Sequence, residues 1–137
     1  MDLFTYSNIN LNSSFQRSTR IDNKITKEFL NHYIFHDTSK KVLDQISNSI
    51  FNSNQSAFTL TGPYGTGKSS LALFLKALIS NDNKIKGIAE KVSKYNSNHH
   101  FSKVFLKKKW FVINLIGSKK DPIESIAEQI DITIKNN

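Results

Sequence analysis

Gly62-Pro63-Tyr64-Gly65-Thr66-Gly67-Lys68-Ser69 matches the pattern G-x-x-x-x-G-K-[ST] at every fixed position. A short β-prone run, residues 57–61, comes directly before this stretch, and a helical apolar pattern opens at Lys68. Glycines let such a loop turn back so that its backbone N–H groups point inward, at the positive end of the following helix. The stretch therefore predicts a loop between a strand and a helix that binds phosphate groups.

The polar side chains of this loop have separate predicted roles. Lys68 is expected to reach the β- and γ-phosphates of a nucleotide, and the hydroxyl of Ser69 is expected to ligate Mg²⁺. Ser70 is expected to add a contact to the α-phosphate. The predicted cofactor is therefore ATP or GTP with Mg²⁺. The predicted nucleotide-binding residues are Gly62, Pro63, Tyr64, Gly65, Thr66, Gly67, Lys68, Ser69 and Ser70.

The spacing of apolar residues predicts further elements on both sides of the loop. Helices are expected at residues 24–35 and 38–51 before it and at residues 68–79 after it. Residues 110–116, with the sequence WFVINLI, are typical of a strand covered on both faces of a parallel sheet. Asp121 then begins a capping-box pattern that predicts a last helix. The order helix, strand, loop, helix, strand, helix predicts an α/β sheet with right-handed crossovers.

The loop and the helix after it resemble a known family. Residues 62–75, with the sequence GPYGTGKSSLALFL, are similar to the Walker A segment of the AAA+ and STAND classes of P-loop ATPases. The helix at 38–51 resembles the one that these families place before their first strand, and the resemblance covers residues 38–130. It implies a partial three-layer α/β/α P-loop NTPase domain with a parallel sheet at residues 38–137. A helical or extended N-terminal segment, residues 1–37, would precede that domain as an extension or linker.

The resemblance also bears on where a nucleobase would lie. By that resemblance Tyr33, Ile34 and Phe35, just upstream of the 38–51 helix, would line an adenine pocket. The alternative is that these three are ordinary core residues, and this is the interpretation we prefer.

The catalytic half of such an ATPase is not evident in the sequence. Hydrolysis needs an acidic Walker B residue at a strand end and often an arginine finger. The 110–116 strand carries Asn114 where a carboxylate is wanted, Asp131 follows a helical pattern, and no arginine follows the loop. The catalytic residues therefore stay unknown, and the chain is expected to stop before Walker B.

Three functions remain open from the sequence. The first is the nucleotide-binding region of a larger AAA+ or STAND-like ATPase, and the second is a module that binds nucleotide without hydrolysis. The third is a small phosphotransferase, which the long lead before the loop and the absence of downstream arginines disfavour. Whether the chain is an enzyme is left open.

Composition limits the partners and the compartment. The chain of 137 residues has no cysteine, and no apolar run approaches the ~18 residues of a membrane span, so a soluble cytoplasmic protein without membrane contact is expected.

A net charge of +8 is compatible with nucleic-acid binding by the full-length protein, but only two of the 19 basic residues are arginines. Residues 96–109 are expected to be a polar, basic connection with an uncertain strand near 104–106. The basic segment 103–110, with its lysines and aromatic residues, is either a nucleic-acid patch or a solvated loop leading into the next strand. The family resemblance adds oligomeric assembly of the full-length form.

Overall fold

A computed structural model describes residues 19–94, 99–117 and 121–135 of the chain. Over these residues the chain forms α-helices and one π-helix. The elements in chain order are α1 (Lys27–His32), α2 (Asp37–Ser53), α3 (Lys68–Leu78), α4 (Asn83–Ser93), α5 (His99–Phe101), the π-helix (Ser102–Lys107) and α6 (Pro122–Lys135). The predicted helices at 24–35, 38–51, 68–79 and after Asp121 are thus confirmed, with ends that differ by a few residues.

Capping side chains begin three of the helices, α1, α4 and α6. Thr26 Oγ1 accepts a hydrogen bond from the N–H of Phe29 at the start of α1 (3.1 Å). Asp82 Oδ1 accepts from the N–H of Lys84 (2.8 Å) at the start of α4, and Asp121 Oδ1 accepts from the N–H of Ile123 (2.7 Å) at the start of α6. Each bond satisfies a backbone donor that the first helical turn leaves unpaired. The predicted cap at Asp121 is confirmed.

The core is built around α3. Phe74, on this helix, is fully buried, and the rings of Tyr33 and Phe35 lie against it with centroid distances of 4.4 and 5.2 Å. Helix α3 also packs along α4, and α2 packs against α5 and the π-helix. The buried apolar residues of this cluster are Leu30, Leu43, Ile46, Leu71, Phe74, Ala77, Leu78, Ala89, Phe101, Val104 and Phe105.

The predicted α/β fold with a parallel sheet is wrong for the described residues. Residues 57–61 and 110–116 form no strand there, and no hydrogen bond joins the backbone of either segment to the backbone of another described residue. Phe58 and Leu60 are 38% and 37% exposed instead of buried between layers. A β-prone segment becomes a strand only when a neighbour pairs with it and a second layer covers it. Here the apolar face of α3, which would cover a sheet, packs on helix α4 and on aromatic rings.

The same finding corrects the family assignment. A P-loop NTPase domain of the AAA+ or STAND class is a layered α/β/α structure, and the described residues are helical without any strand. The uncertain strand near 104–106 is also wrong, because these residues lie in the π-helix, where Val104 and Phe105 are buried. The identification as an AAA+ ATPase therefore does not stand, and what remains of the resemblance is the loop sequence at 62–69.

The predicted boundary between residues 37 and 38 stays a prediction. Residues 1–18 of the expected extension and residues 96–98 of the expected basic connection lie outside the described residues. Within the described part, Leu30 from α1 is buried in the same cluster as Leu43 from α2.

Among the residues that the structure describes, no helix combines the length and the apolar character needed to cross a bilayer. Helix α6 is the least covered of the longer helices, since none of its side chains is buried. Four of its isoleucines are exposed, namely Ile123, Ile126, Ile132 and Ile134.

Candidate phosphate-binding site

The glycines of the 62–69 loop adopt backbone angles that other residues rarely adopt. Gly65 has φ of 81° and Gly67 has φ of 80°, both in the left-handed region, and Gly62 has φ of 153°. Side chains with a Cβ are disfavoured at such angles. Gly67 is also the N-cap residue of α3. The glycine spacing that defined the motif therefore sets the turn of the loop into the helix.

Lys68 folds back over the loop. Its Nζ donates to the carbonyl oxygens of Gly62 (2.8 Å) and Pro63 (2.6 Å) and to Thr66 Oγ1 (3.3 Å). Thr66 Oγ1 in turn donates to the Pro63 carbonyl at 2.9 Å. The three donors of one ammonium group thus join the start of the loop to its end. The positive charge of Lys68 therefore lies over the loop.

The start of α3 is open to an anion. Gly67 has no side chain with which to cap the helix, and the first intrahelical bond recorded at this end runs from the N–H of Leu71 to the Gly67 carbonyl (2.8 Å). The N–H groups of Lys68, Ser69 and Ser70 precede that bond, in the turn where helices leave donors unpaired and carry partial positive charge. The Ser69 side chain is exposed. The turn can therefore donate several hydrogen bonds to one oxyanion.

Ser70 has a partner that the sequence did not predict. Its hydroxyl donates to Thr19 Oγ1 at 3.3 Å, so the segment before α1 lies beside the first turn of α3. Further along the same helix, Lys76 Nζ lies 3.4 Å from the carbonyl oxygens of both Ile21 and Asn23. Burial lowers the pKa of the Lys76 ammonium, and the charge of Asp22 opposes this. No local pattern in residues 19–23 indicated that they pack on α3.

The electrostatic surroundings of the loop favour anions. Between Asp44 and Asp82 the sequence contains no acidic residue, while Lys68 and Lys76 contribute two positive charges. The loop itself is exposed, and Tyr64 at its tip is 94% exposed. An anion that reached the loop would meet ammonium and N–H groups, and no carboxylate of the loop or of α3 would oppose it.

The three residues Tyr33, Ile34 and Phe35 differ in how far they are buried. The Tyr33 ring stacks on Phe74, and the Phe35 ring lies tilted against it. Burial raises the pKa of the Tyr33 phenol, whose oxygen lies 3.4 Å from Ser39 Oγ. Ile34 is 66% exposed. All three border an open cavity of about 510 Å³ between the start of α2 and the end of α4. Tyr33 and Phe35 are therefore partly buried and pack against the core, as the preferred interpretation expects, whereas that interpretation is wrong for the exposed Ile34.

Neither Asn114 nor Asp131, the residues considered for Walker B, lies at a strand end among the described residues. Asp131 lies within α6 with its side chain exposed, and Asp121 caps the same helix. Asn114 is half-buried and borders a second cavity of about 450 Å³, which Arg20 and Asp22 also border. Arg20 is held by Asp22 in an exposed ion pair of 2.8 Å. Within residues 19–94, 99–117 and 121–135, no three His, Cys, Asp or Glu side chains come together as a metal site.

The site thus consists of a local loop and helix start within a helical structure. Its elements are three glycines at positive φ, a lysine folded over the loop and an uncapped helix N-terminus. These features are local, because they depend on residues 62–71 alone and need no sheet. A comparison of the chain with protein-family models, with curated proteins and with solved structures found no match.

Proposed function

We propose that the 62–69 loop binds the phosphate chain of ATP or GTP together with Mg²⁺, and that the described chain acts as a nucleotide-binding module. The observation that supports this most is the position of Lys68, whose ammonium group lies over a glycine loop at the start of an 11-residue helix. Ammonium and backbone N–H donors directed at one point are the usual means by which proteins hold phosphates.

A bound phosphate chain would replace hydrogen bonds that the loop makes with itself. Lys68 Nζ gives its hydrogen bonds to two carbonyls and one hydroxyl, all neutral acceptors. A phosphate oxygen carries negative charge, and a charge-assisted hydrogen bond is roughly twice as strong as a neutral one. Lys68 would therefore turn toward a bound phosphate and release at least one loop carbonyl.

The residues also fit the metal that accompanies a nucleotide. The exposed hydroxyl of Ser69 stands at the second position of α3, next to the lysine. Mg²⁺ is commonly held by few protein oxygens together with substrate phosphates and water, so one hydroxyl is sufficient as the protein ligand from the loop. Ser69 would hold the ion against the phosphate chain, and Gly67 would let the phosphates approach the backbone closely.

Calorimetric titration with Mg-ATP and Mg-GTP tests this proposal. We expect Lys68→Ala to lower the affinity by about 10-fold to 100-fold, since one hydrogen bond to a charged group contributes about 1.5–3 kcal/mol. Lys84→Ala is the matched control, because Lys84 is an exposed lysine in the first turn of α4. It removes the same charge at another helix start and should leave the affinity unchanged. Equal affinity in the parent and the Lys68 variant would reject the site.

We also expect the isolated chain to bind nucleotide without hydrolysing it. The loop, Lys68 and Ser69 contact the phosphates in the ground state as well as in the transition state, and such uniform binding does not by itself raise the rate. An arginine finger alone contributes ~10³ to 10⁵ in rate, and Arg20, the arginine of the described residues, is paired with Asp22.

A phosphate-release assay checks this expectation. The parent and the Lys68→Ala protein should release phosphate at the same background rate. Turnover of about 1 per second that disappears in the variant would contradict it. Such a result would mean that an acid of this chain, or a group from a partner, completes an ATPase site around the loop.

A further inference from the structure

The net positive charge of the chain is concentrated in one stretch. Residues 91–120 contain eight lysines and no aspartate or glutamate, whereas the rest of the chain carries eleven basic and eleven acidic residues. The whole net charge of +8 therefore belongs to this stretch of 30 residues. An evenly distributed excess of lysine would not produce this arrangement.

The π-helix presents part of this charge on one surface. Val104 and Phe105 are buried in the core, and they fix the helix by its apolar side. Lys103 and Lys107, four residues apart, are exposed, and side chains at this spacing lie close together on a helix. Lys108 and Lys109 follow directly and are also exposed. Four ammonium groups thus lie within seven consecutive residues on a segment anchored to the core.

Aromatic rings lie among these lysines. Lys108 Nζ is 5.2 Å from the ring centroid of Trp110, whose indole N–H donates to the Val104 carbonyl at 2.8 Å. Lys103 Nζ is 5.0 Å from the ring centroid of Phe51, at the end of α2. Phe111, next to Trp110, is 52% exposed. We call Lys103, Lys107, Lys108, Lys109, Trp110 and Phe111 the basic-aromatic surface.

We propose that the basic-aromatic surface binds single-stranded nucleic acid. Lysines neutralise the phosphodiester backbone, and exposed rings stack on bases that are not paired. A duplex keeps its bases stacked inside the helix, so the exposed ring of Phe111, next in the chain to the half-buried Trp110, favours a single strand. The cations of the surface are all lysines, which act as point charges and lack the planar fork with which arginine reads base edges. The surface therefore binds DNA or RNA strands with little sequence preference.

Fluorescence anisotropy with a labelled oligothymidylate of about 20 nucleotides tests the charge. Replacing Lys103, Lys107, Lys108 and Lys109 together by glutamine should lower the affinity by about 100-fold and reduce the slope of log K against log salt by about three. The matched control replaces four exposed lysines outside the surface, Lys24, Lys27, Lys41 and Lys84, by glutamine. Its affinity should stay within about threefold of the parent. An equal loss in both variants would show that total charge acts alone and would overturn the proposal.

Substitutions of Phe111 test the stacking role, and they leave the charge of the surface unchanged. Phe111→Leu should weaken binding about tenfold, and Phe111→Trp should keep the parent affinity, because base stacking needs an aromatic face. Thermal unfolding followed by circular dichroism should give the same melting temperature for the parent and both variants, since this side chain is half exposed. Equal binding by the parent and the leucine variant would overturn the stacking role.

Two competitors complete the test. A DNA duplex of the same length should bind more weakly than the single strand, and vesicles of anionic lipid should not displace the strand. A tighter duplex, or displacement by vesicles, would overturn the proposal in favour of a general polyanion surface. The Lys68→Ala protein should bind the strand as the parent does, because Lys68 is not part of the basic-aromatic surface.

Discussion

Replacing Phe74 with alanine is expected to lower the free energy of unfolding by about 3–5 kcal/mol. The ring is fully buried in α3, and two aromatic side chains, Tyr33 and Phe35, lie against it. Truncation to a methyl group would remove these contacts and leave a cavity between α3 and the segment that joins α1 to α2. Urea unfolding followed by circular dichroism measures the loss.

The control for this variant also distinguishes the helical fold from an α/β fold with a central sheet. Phe58→Ala makes the same chemical change at a side chain that is 38% exposed, so it should cost less than about 1 kcal/mol. In an α/β domain, residues 57–61 would be a central strand and Phe58 would be buried. Losses of similar size in the two variants would therefore contradict the helical core described here.

Replacing Gly67 with valine is expected to reduce nucleotide affinity by about 100-fold and to destabilise the fold by about 1–3 kcal/mol. Gly67 has φ of 80°, and a β-branched residue is a marked outlier at that angle. The loop would relieve the strain by changing its backbone, and this change would displace the N–H groups at the start of α3. Calorimetric titration with Mg-ATP and thermal unfolding measure the two effects.

Gly87→Ala is the matched control for that experiment. Gly87 lies inside α4, away from the loop, and a Cβ there would meet no atom within 4 Å. Alanine should therefore stabilise the helix by about 0.5–1 kcal/mol and leave nucleotide affinity unchanged. Unchanged affinity in the Gly67 variant would mean that the positive φ at this residue does not shape the binding site.

The helices could be predicted from the sequence because their signals are local. The apolar spacing that locates α2 and α3, and the side chain of Asp121 that caps α6, act over three or four residues. Phe74 falls within the helix predicted at residues 68–79 for the same reason. Its aromatic partners were harder to place, since Tyr33 and Phe35 lie some forty residues earlier in the chain.

The strands could not be predicted correctly because pairing is not a local property. The run WFVINLI at residues 110–116 has the composition of a buried strand whether or not another strand lies beside it. Whether such a run becomes a strand depends on what else covers the helices, and here α3 packs on α4. The same limit applies to the contact between Thr19 and Ser70, which joins residues 51 positions apart.

The backbone geometry of the candidate phosphate site was partly predictable from the sequence. The spacing of the glycines and of Lys68 indicated a loop with inward N–H groups, and the left-handed angles at Gly65 and Gly67 agree with it. The folding of Lys68 onto the carbonyls of Gly62 and Pro63 depends on three-dimensional distances that no pattern contains. Nucleotide binding itself stays a prediction until it is measured.

The segment at residues 111–116, which pairs as a strand with no other described residue, has a consequence for how the protein behaves in concentrated solution. It is apolar and uncharged, and Phe111, Leu115 and Ile116 are between 39% and 52% exposed. Such segments are templates for cross-β assembly between copies of a chain, and flanking charges act as gatekeepers against it. Lys107, Lys108 and Lys109 stand before the segment, separated from it only by Trp110, and repel the same residues of a second copy. High salt screens that repulsion, so the ionic strength that would strip a nucleic acid from the lysines would also remove the protection against fibril formation.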